Sequence, residues 1–308
     1  MRVPFDLTLK RLTCAGEGAW RRALLALAAV TVLLIPLAAS ASATAATDSR
    51  VHAKHLFYTT SGAATGSPNG AEIFAITVSG GKVTTKHIGP TYGGDCASLA
   101  ISPSESLYSM CGQLFGTQQL ATIDPETGRA NLFGVGVSGL AVMAMGFAPN
   151  GVLYAVGDCN PDAAYECTPG TDPNYNSLYR VDVKTGAFTL VGSTGAPQFF
   201  MDLAFDRKGN MFGVTTTVFP SVVPAILYRI DPETGTATKV VNLVGSNSIM
   251  GLAFGRNGKL YATDFSPNPH LYRIDVETGI ETAIAALPFG FSSGLELMNS
   301  DEDDRAGG

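Results

Sequence analysis

The sequence predicts an all-β fold, a five-bladed β-propeller of four-stranded antiparallel blades, closed by a composite blade that combines the N- and C-terminal strands. Three observations predict it. The chain repeats with a period near 50 residues, two β-hairpin patterns alternate within each repeat, and each end of the repeat region carries part of one blade.

The first hairpin pattern reads Leu-Tyr-Arg-Ile-Asp-x-x-Thr-Gly, and a degenerate copy of it precedes the clear copies. Its Asp can accept backbone N–H groups and its Gly can take the left-handed conformation, so each copy predicts a tight turn between two strands. The positions aligned on this Asp are Thr77, Asp124, Asp182, Asp231 and Asp275, which are spaced by 47, 58, 49 and 44 residues. Such spacing fits four strands per repeat and favours a propeller over a solenoid.

The second hairpin pattern is an apolar strand, a tight turn containing Gly, and a strand that begins with Leu-Tyr or a close variant. Its copies span residues 99–108, 145–154, 203–212 and 252–261. Residues 294–297 resemble a first strand with nothing after it, and residues 55–60 resemble a second strand with nothing before it. Together they predict the composite blade, which would leave neither end of the ring as an open sheet edge.

The N-terminus has the pattern of a signal peptide. A basic segment, an apolar run over residues 23–38 and small residues up to 45 predict cleavage after Ala43. A membrane anchor is the alternative, but Pro36 breaks the apolar run, which is shorter than a bilayer span. General secretion is favoured, although Arg21 and Arg22 also permit twin-arginine export. We therefore expect a secreted, extracellular protein.

The domain organisation follows from these segments. We expect a signal peptide over 1–43, a short linker over 44–50, a propeller domain over 51–299 and an acidic disordered tail over 300–308. The formal charge of −6 becomes −9 without residues 1–43, which argues against nucleic acid and anionic membrane as partners. The partners expected are a carbohydrate, a peptide or a cell-surface protein, and the mature chain is expected to be a monomer.

Four cysteines remain after Cys14 leaves with the signal peptide. An even number in an exported chain predicts two disulfides. If Ile101 faces Ser106 across a hairpin, Cys96 faces Cys111, and Cys159 with Cys167 then closes a long loop. A zinc site is the alternative, but the sequence has no Cys-x-x-Cys pair.

The loops after the second and fourth strands of each blade vary in length, whereas the hairpin turns at the opposite end are short and regular. Variable loops on a rigid scaffold are where binding residues concentrate, so we expect the ligand at that end. Four carboxylates are candidates for a funnel around the axis: Asp95, Asp158, Asp202 and Asp264. Asp158, Asp202 and Asp264 are the candidate metal ligands, since oxygen clusters suit a divalent cation such as Ca²⁺. The alternative is that each carboxylate caps a turn.

Glu296 occupies the position that holds Ala or Gly in the other first strands. It either faces the channel as a ligand or acid/base with a raised pKa, or reflects looser packing of the closing blade. Tyr92, Phe200, Phe265 and Phe291 are the candidate aromatic residues of the funnel, where they would suit sugars or apolar small molecules. Core packing is the alternative for each.

The repeat, in which Leu-Tyr-Arg-Ile-Asp-Pro-x-Thr-Gly is followed by Gly-Leu-Ala-Phe-x-x-Asn-Gly-x-Leu-Tyr-Ala, resembles secreted bacterial propeller-repeat families over residues 51–298. More distantly it resembles NHL-type, streptogramin-lyase-like and gluconolactonase-like propellers. The resemblance rests on turn and core residues and implies the fold. Gluconolactonase-like enzymes hold a divalent metal in the funnel, but their metal motif matches no positions of this sequence.

Two functions follow as hypotheses. The sequence identifies no catalytic residue, which favours a secreted, non-catalytic binding module that uses its variable loops. The alternative is a metal-dependent, lactonase-like hydrolase or lyase acting in the funnel with Asp202, Asp264, Asp158 or Glu296 as ligand or base.

Overall fold

A computed structural model describes residues 54–62, 69–113, 116–159, 176–216, 224–246 and 248–298. The predicted signal peptide, linker and acidic tail, together with Cys167, lie outside these ranges. Within them no helix is long and apolar enough to cross a membrane.

The described chain forms five four-stranded antiparallel sheets, each of which is one blade of a five-bladed propeller. Blade 1 contains β20 (Ser292–Met298), β1 (His55–Ser61), β2 (Glu72–Ser79) and β3 (Lys82–Pro90). Blade 2 contains β4 (Ala100–Ile101), β5 (Leu107–Gly112), β6 (Thr117–Ile123) and β7 (Ala130–Ser138). Blade 3 contains β8 (Leu140–Phe147), β9 (Leu153–Cys159), β10 (Ser177–Val181) and β11 (Phe188–Ser193). Blade 4 contains β12 (Phe199–Phe205), β13 (Met211–Thr216), β14 (Ile226–Ile230) and β15 (Ala237–Asn242). Blade 5 contains β16 (Ile249–Phe254), β17 (Leu260–Asp264), β18 (His270–Ile274) and β19 (Glu281–Ala286).

The composite blade is confirmed. Strand β20 pairs with β1 in antiparallel register, with Phe57 opposite Leu297 and Leu56 opposite Met298. Phe57 and Leu295 are fully buried and belong to one core cluster. The first and last strands of the ring therefore share one sheet, as the two incomplete strand sets predict.

The Asp turns form as the first pattern predicts. In blade 2 the Oδ1 atom of Asp124 accepts the N–H of Glu126 at 2.8 Å, and the Asp124 carbonyl accepts the N–H of Gly128 at 2.8 Å. The hydrogen bond from the Glu126 N–H, together with those from the side chain and backbone of Thr127, stabilises the carboxylate and lowers the pKa of Asp124. Asp182 and Asp275 repeat the arrangement, with the same lowering of their pKa values.

Neighbouring blades pack through apolar cores and, at the outer strands, through glycine. A Cβ at Gly192 of β11 would overlap the carbonyl oxygen of Thr234, in the turn of the next blade. Gly235 of that turn has φ 81° and lies against the carbonyl of Gly192. Gly89 and Gly128 repeat this contact between blades 1 and 2. Close backbone approach explains why these positions hold glycine.

The Cys96–Cys111 disulfide is confirmed, and both residues are fully buried. The strand register used to predict it was wrong by one residue, because Ile101 pairs with Leu107 rather than with Ser106. Cys96 lies before β4 begins, in a segment that approaches β5 through a parallel bridge between Gly94 and Gly112. The pairing predicted for Cys159 lies outside the described side chains.

Candidate functional site

The first strand of each blade is innermost, and these five strands surround the axis of the ring. We call the end that carries the turns between first and second strands the turn end, with turns at 102–106, 148–152, 206–210 and 255–259. The opposite end carries the connections between second and third strands and between blades, and we call it the loop end. The sequence places the candidate site at the loop end.

Asp202 lies in β12 and is fully buried. Its Oδ2 atom accepts the backbone N–H of Leu252 at 2.7 Å and of Leu295 at 3.0 Å, and its Oδ1 atom accepts the N–H of Leu203 at 3.0 Å. Burial nevertheless holds the pKa of Asp202 well above its usual range. Both oxygens are bonded to backbone, so this carboxyl group links three inner strands rather than facing an open funnel.

Asp264 belongs to a different cluster, at the loop end of blade 5. Its Oδ1 atom accepts the N–H of His270 at 2.6 Å, and burial together with the Asp264 carboxylate raises the pKa of Tyr272 to about 12. Glu281 also acts on Tyr272, and burial, with a further contribution from Asp264, raises the pKa of Glu281 to about 7. Glu281 accepts the N–H of Ser246 at 2.7 Å through Oε2. No sequence motif includes Tyr272 or Glu281, and the folded sheet brings both close to Asp264.

The other predicted carboxylates lie apart from Asp202. Asp95 precedes β4, and its backbone N–H donates to the Gly112 carbonyl at 2.8 Å. Asp158 pairs with Ala141 in the sheet, and its side chain lies outside the described part. In the described side chains no group of three His, Cys, Asp or Glu residues is arranged to hold a metal ion.

Two of the four predicted aromatic residues come together at the loop end. The rings of Phe265 and Phe291 have centroids 5.0 Å apart at an interplanar angle of 49°, and both side chains are partly exposed. The N–H of Phe291 donates to the Ser266 carbonyl at 2.7 Å, and Phe291 has φ 56°. A bulky residue with positive φ is an outlier that the surrounding contacts must hold in place.

The other two aromatic residues lie elsewhere. Phe200 is 3% exposed and packs edge-on against Tyr228 at 5.6 Å, so it belongs to the core rather than to a funnel wall. Tyr92 is 59% exposed and lies beneath the guanidinium group of Arg129 at 5.2 Å, next to the Asp turn of blade 2. Tyr92 follows the last strand of blade 1 and the Asp124 turn belongs to blade 2, so Tyr92 lies at the junction of these two blades.

Glu296 occupies the position that the repeat predicts. Cross-strand pairing places it opposite Tyr58, as Ala100 is placed opposite Tyr108 and Ala253 opposite Tyr261. It lines a cavity of about 500 Å³ at the turn end, opposite the end where the sequence predicts the ligand. Burial, reinforced by the neighbouring Asp202, holds the pKa of Glu296 well above its usual range.

Several solved structures are similar to this chain. A gluconolactonase from Xanthomonas campestris has 13% identity and a TM-score of 0.44, covering 72% of this chain and 74% of its own. A protein of unknown function from Bacteroides caccae has 14% identity and a TM-score of 0.42, covering 80% and 99%. A catalytically inactive virginiamycin B lyase from Staphylococcus aureus, solved with quinupristin, has 16% identity and a TM-score of 0.38, covering 66% and 62%. At such identities and scores the likeness does not extend to activity.

No curated protein matches the sequence. The family model described as a repeat of unknown function (DUF6923) matches residues 58–260, which is more than half of the chain. Four of the five copies of the first hairpin pattern lie within the matched range, among them the turns at Asp124, Asp182 and Asp231. The chain therefore belongs to the DUF6923 repeat family.

Proposed function

We propose that this chain is an exported, non-catalytic binding module that recognises carbohydrate at the loop end of its propeller. The observation that carries the proposal is the partly exposed pair of Phe265 and Phe291. Aromatic rings offer flat apolar faces for the C–H groups of sugar rings. Polar groups beside them then fix the orientation of the ligand.

The surroundings of this pair are rigid. The hydroxyl of Ser61 donates to the Gly290 carbonyl, and the Oγ1 atom of Thr59 lies 2.7 Å from the Oγ atom of Ser292. The Phe291 carbonyl accepts the N–H of Gly62 at 3.3 Å. Hydrogen bonds from β1 thus hold both sides of Phe291. A preorganised aromatic residue loses little conformational entropy when it binds a ligand.

Polar groups are available next to the pair. Asp264 precedes Phe265 directly, and the N–H of Phe265 donates to the Ser248 carbonyl at 2.8 Å. The ring of His270 lies 5.9 Å from that of Tyr272 in the same cluster. The partly exposed imidazole of His270, whose backbone N–H donates to Asp264, matches the hydroxyl-rich edge of a sugar, and the aromatic pair matches its apolar face.

The alternative is a metal-dependent hydrolase or lyase acting in the funnel. It would use Asp202, Asp264, Asp158 or Glu296 as a ligand or base. The two oxygens of Asp202 accept three backbone N–H groups, and Oδ1 of Asp264 accepts the His270 N–H. These contacts support structural roles for both carboxyl groups, so we propose the binding module.

The test is a glycan array probed with the purified protein and with a Phe265→Ala/Phe291→Ala double variant. We expect defined glycans to bind the natural protein and binding to fall at least about tenfold in the double variant, since about 1.4 kcal/mol of lost contact energy corresponds to that factor. Val135→Ala is the matched control, because Val135 is an exposed apolar residue of β7, far along the chain from the pair.

Each other outcome rejects a stated part of the proposal. Binding only to peptides or to a surface protein would replace carbohydrate as the ligand. Hydrolysis of a lactone that requires an added divalent cation would establish the enzyme instead. Export is tested separately, by determining the N-terminal residue of the protein that a bacterial host secretes. We expect that residue to be Thr44.

A further inference from the structure

The turn end of the ring holds a cavity that the proposed carbohydrate site does not use. It has a volume of about 500 Å³ and is formed by the last residues of the inner strands and by the turns that follow them. Its apolar wall consists of equivalent residues from all five blades: Ile101, Phe147, Phe205, Phe254 and Leu297. Charged residues also line it: Asp206, Arg207, Arg256 and Glu296. A concave site that combines apolar walls with a small number of polar groups is typical of small-molecule binding.

One carboxyl group departs from this apolar pattern. Glu296 lines the cavity. The equivalent position in the other inner strands holds Ala100, Gly146, Ala204 or Ala253. The side chain lies on β20 opposite Tyr58, so the sheet fixes its direction. Four blades form the same strand without a carboxyl group, which indicates that folding does not require one here.

In the part of the chain that the structure describes, this carboxyl group has no counterion. Among the described residues the charged group that acts on Glu296 is the Asp202 carboxyl, which is of the same sign, and its one favourable contact is the Leu297 N–H. The Glu296 side chain is partly exposed toward the cavity but is largely withdrawn from bulk water, and a carboxylate in such a place without a cationic partner is costly. The pKa of Glu296 is raised for that reason. A bound cation would offset the energetic cost of its negative charge.

Two arginines lie at the rim of the same cavity but have other contacts. Arg256 donates from Nη2 to the Met298 carbonyl at 3.2 Å, and its backbone N–H donates to Nδ1 of His55 at 3.3 Å. Arg207 is exposed, in a turn where Asp206 accepts the N–H of Lys208 at 2.8 Å. Water screens the charge of the exposed Arg207, whereas Arg256 is partly buried and is held by the Met298 carbonyl.

We propose that the turn-end cavity binds an organic ammonium ion, with the ammonium group paired to Glu296 and the apolar body against the phenylalanine wall. Charge complementarity supplies the specificity. Phe147, Phe205 and Phe254 line the cavity, and an aromatic ring attracts a cation that approaches its face. The volume of the cavity accommodates an amine the size of an aromatic ring with a short side arm.

The experiment measures binding of three probes of nearly equal shape by calorimetry: benzylammonium, benzyl alcohol and benzoate. We expect benzylammonium to bind most tightly and benzoate most weakly. In Glu296→Gln, which keeps the size of the side chain, benzylammonium affinity should fall at least about tenfold while benzyl alcohol affinity stays unchanged. Glu277→Gln is the control, since Glu277 is an exposed glutamate in the turn after β18.

A second variant separates binding from folding. Glu296→Ala restores the residue that the repeat holds in blades 2, 4 and 5, so it should fold with a stability no lower than that of the natural protein. It should lose benzylammonium binding and keep benzyl alcohol binding. The proposal is overturned if benzoate binds more tightly than benzylammonium, which would assign recognition to Arg207 and Arg256, or if either Glu296 variant binds benzylammonium as tightly as the natural protein.

Discussion

The carboxyl group of Asp202 accepts the backbone N–H of Leu295 across the axis of the ring, at 3.0 Å. The same oxygen accepts the N–H of Leu252 at 2.7 Å, so one side chain of blade 4 contacts the inner strands of blades 5 and 1. Leu295 belongs to the strand that closes the ring. Asp202 therefore stabilises ring closure directly.

Removing this carboxyl group should destabilise the whole domain. Asp202→Ala leaves the N–H groups of Leu252 and Leu295 buried without an acceptor, and each such group costs about 1–3 kcal/mol. We expect the free energy of unfolding to fall by about 3 kcal/mol or more, measured by urea denaturation. Asp202→Asn keeps a carbonyl oxygen as acceptor and should lose less. Equal stability of the Ala variant and the natural protein would contradict the role assigned to Asp202.

The Glu281 carboxyl group should make stability depend on pH. Its pKa is about 7 in the folded chain against 4.5 for a free glutamate, so the folded state retains a proton that the unfolded state has lost. The stability contributed by this group is fully present below pH 4.5 and is lost as the pH rises through about 7. In Glu281→Gln this loss is absent, while the amide oxygen can still accept the Ser246 N–H.

The measurement is a series of urea denaturation curves across that pH range. We expect the stability of Glu281→Gln relative to the natural protein to rise with pH and then to level off above about 7. Glu277→Gln, at an exposed position, is the control for replacing a glutamate by glutamine. A difference for Glu281→Gln that stays constant across the pH range would mean that its carboxyl group titrates alike in both states.

The close approach of outer strands to neighbouring turns should make one glycine sensitive to a single methyl group. Gly192→Ala forces a Cβ against the carbonyl oxygen of Thr234, which is backbone and cannot rotate away. Overpacking of this kind costs about 1–3 kcal/mol. Gly290→Ala is the control, because its nearest contact would be the Pro267 carbonyl oxygen at an ordinary 3.5 Å. Thermal melts of the two variants should differ clearly, and matching melting temperatures would show that blades 3 and 4 can separate locally without cost.

The Cys96–Cys111 bond should stabilise the fold by about 3 kcal/mol, the chain-entropy value for a closed loop of 15 residues. Cys96→Ala/Cys111→Ala should lower the free energy of unfolding by that amount. Adding a reductant to this double variant then tests the predicted second bond, since a further loss of stability would come from Cys159 and Cys167. Peptide mapping without reductant gives the connectivity, and a map joining Cys96 to Cys159 would contradict the pairing.

Local sequence was sufficient for the turns, the blade count and the closing strands. The turn at Asp124 is specified by five consecutive residues, and the slot of Glu296 follows from counting along an aligned strand. The interior position of Phe200 did not follow in this way. The pairing shifts by one residue between Phe200 and Asp202, and such a bulge reverses which side chains face the core.

The candidate sites were predicted less completely for a related reason. Tyr272 and Glu281 meet Asp264 across paired strands of one sheet, and neither stands out from the polar residues around it in sequence. The turn-end cavity lies between the ends of the five inner strands, and its presence depends on the geometry of the assembled ring. The short, regular turns in the sequence did not predict this cavity.

The hydroxyl contact between Thr59 and Ser292 joins residues that are 233 positions apart. Until the final strand is available, the inner edge of β1 has exposed backbone groups and the Asp202 oxygen lacks one of its donors. Contacts of such large sequence separation form slowly. A truncated chain, or one whose C-terminal residues are held back during synthesis, is consequently an open ring prone to pairing with a second copy of itself.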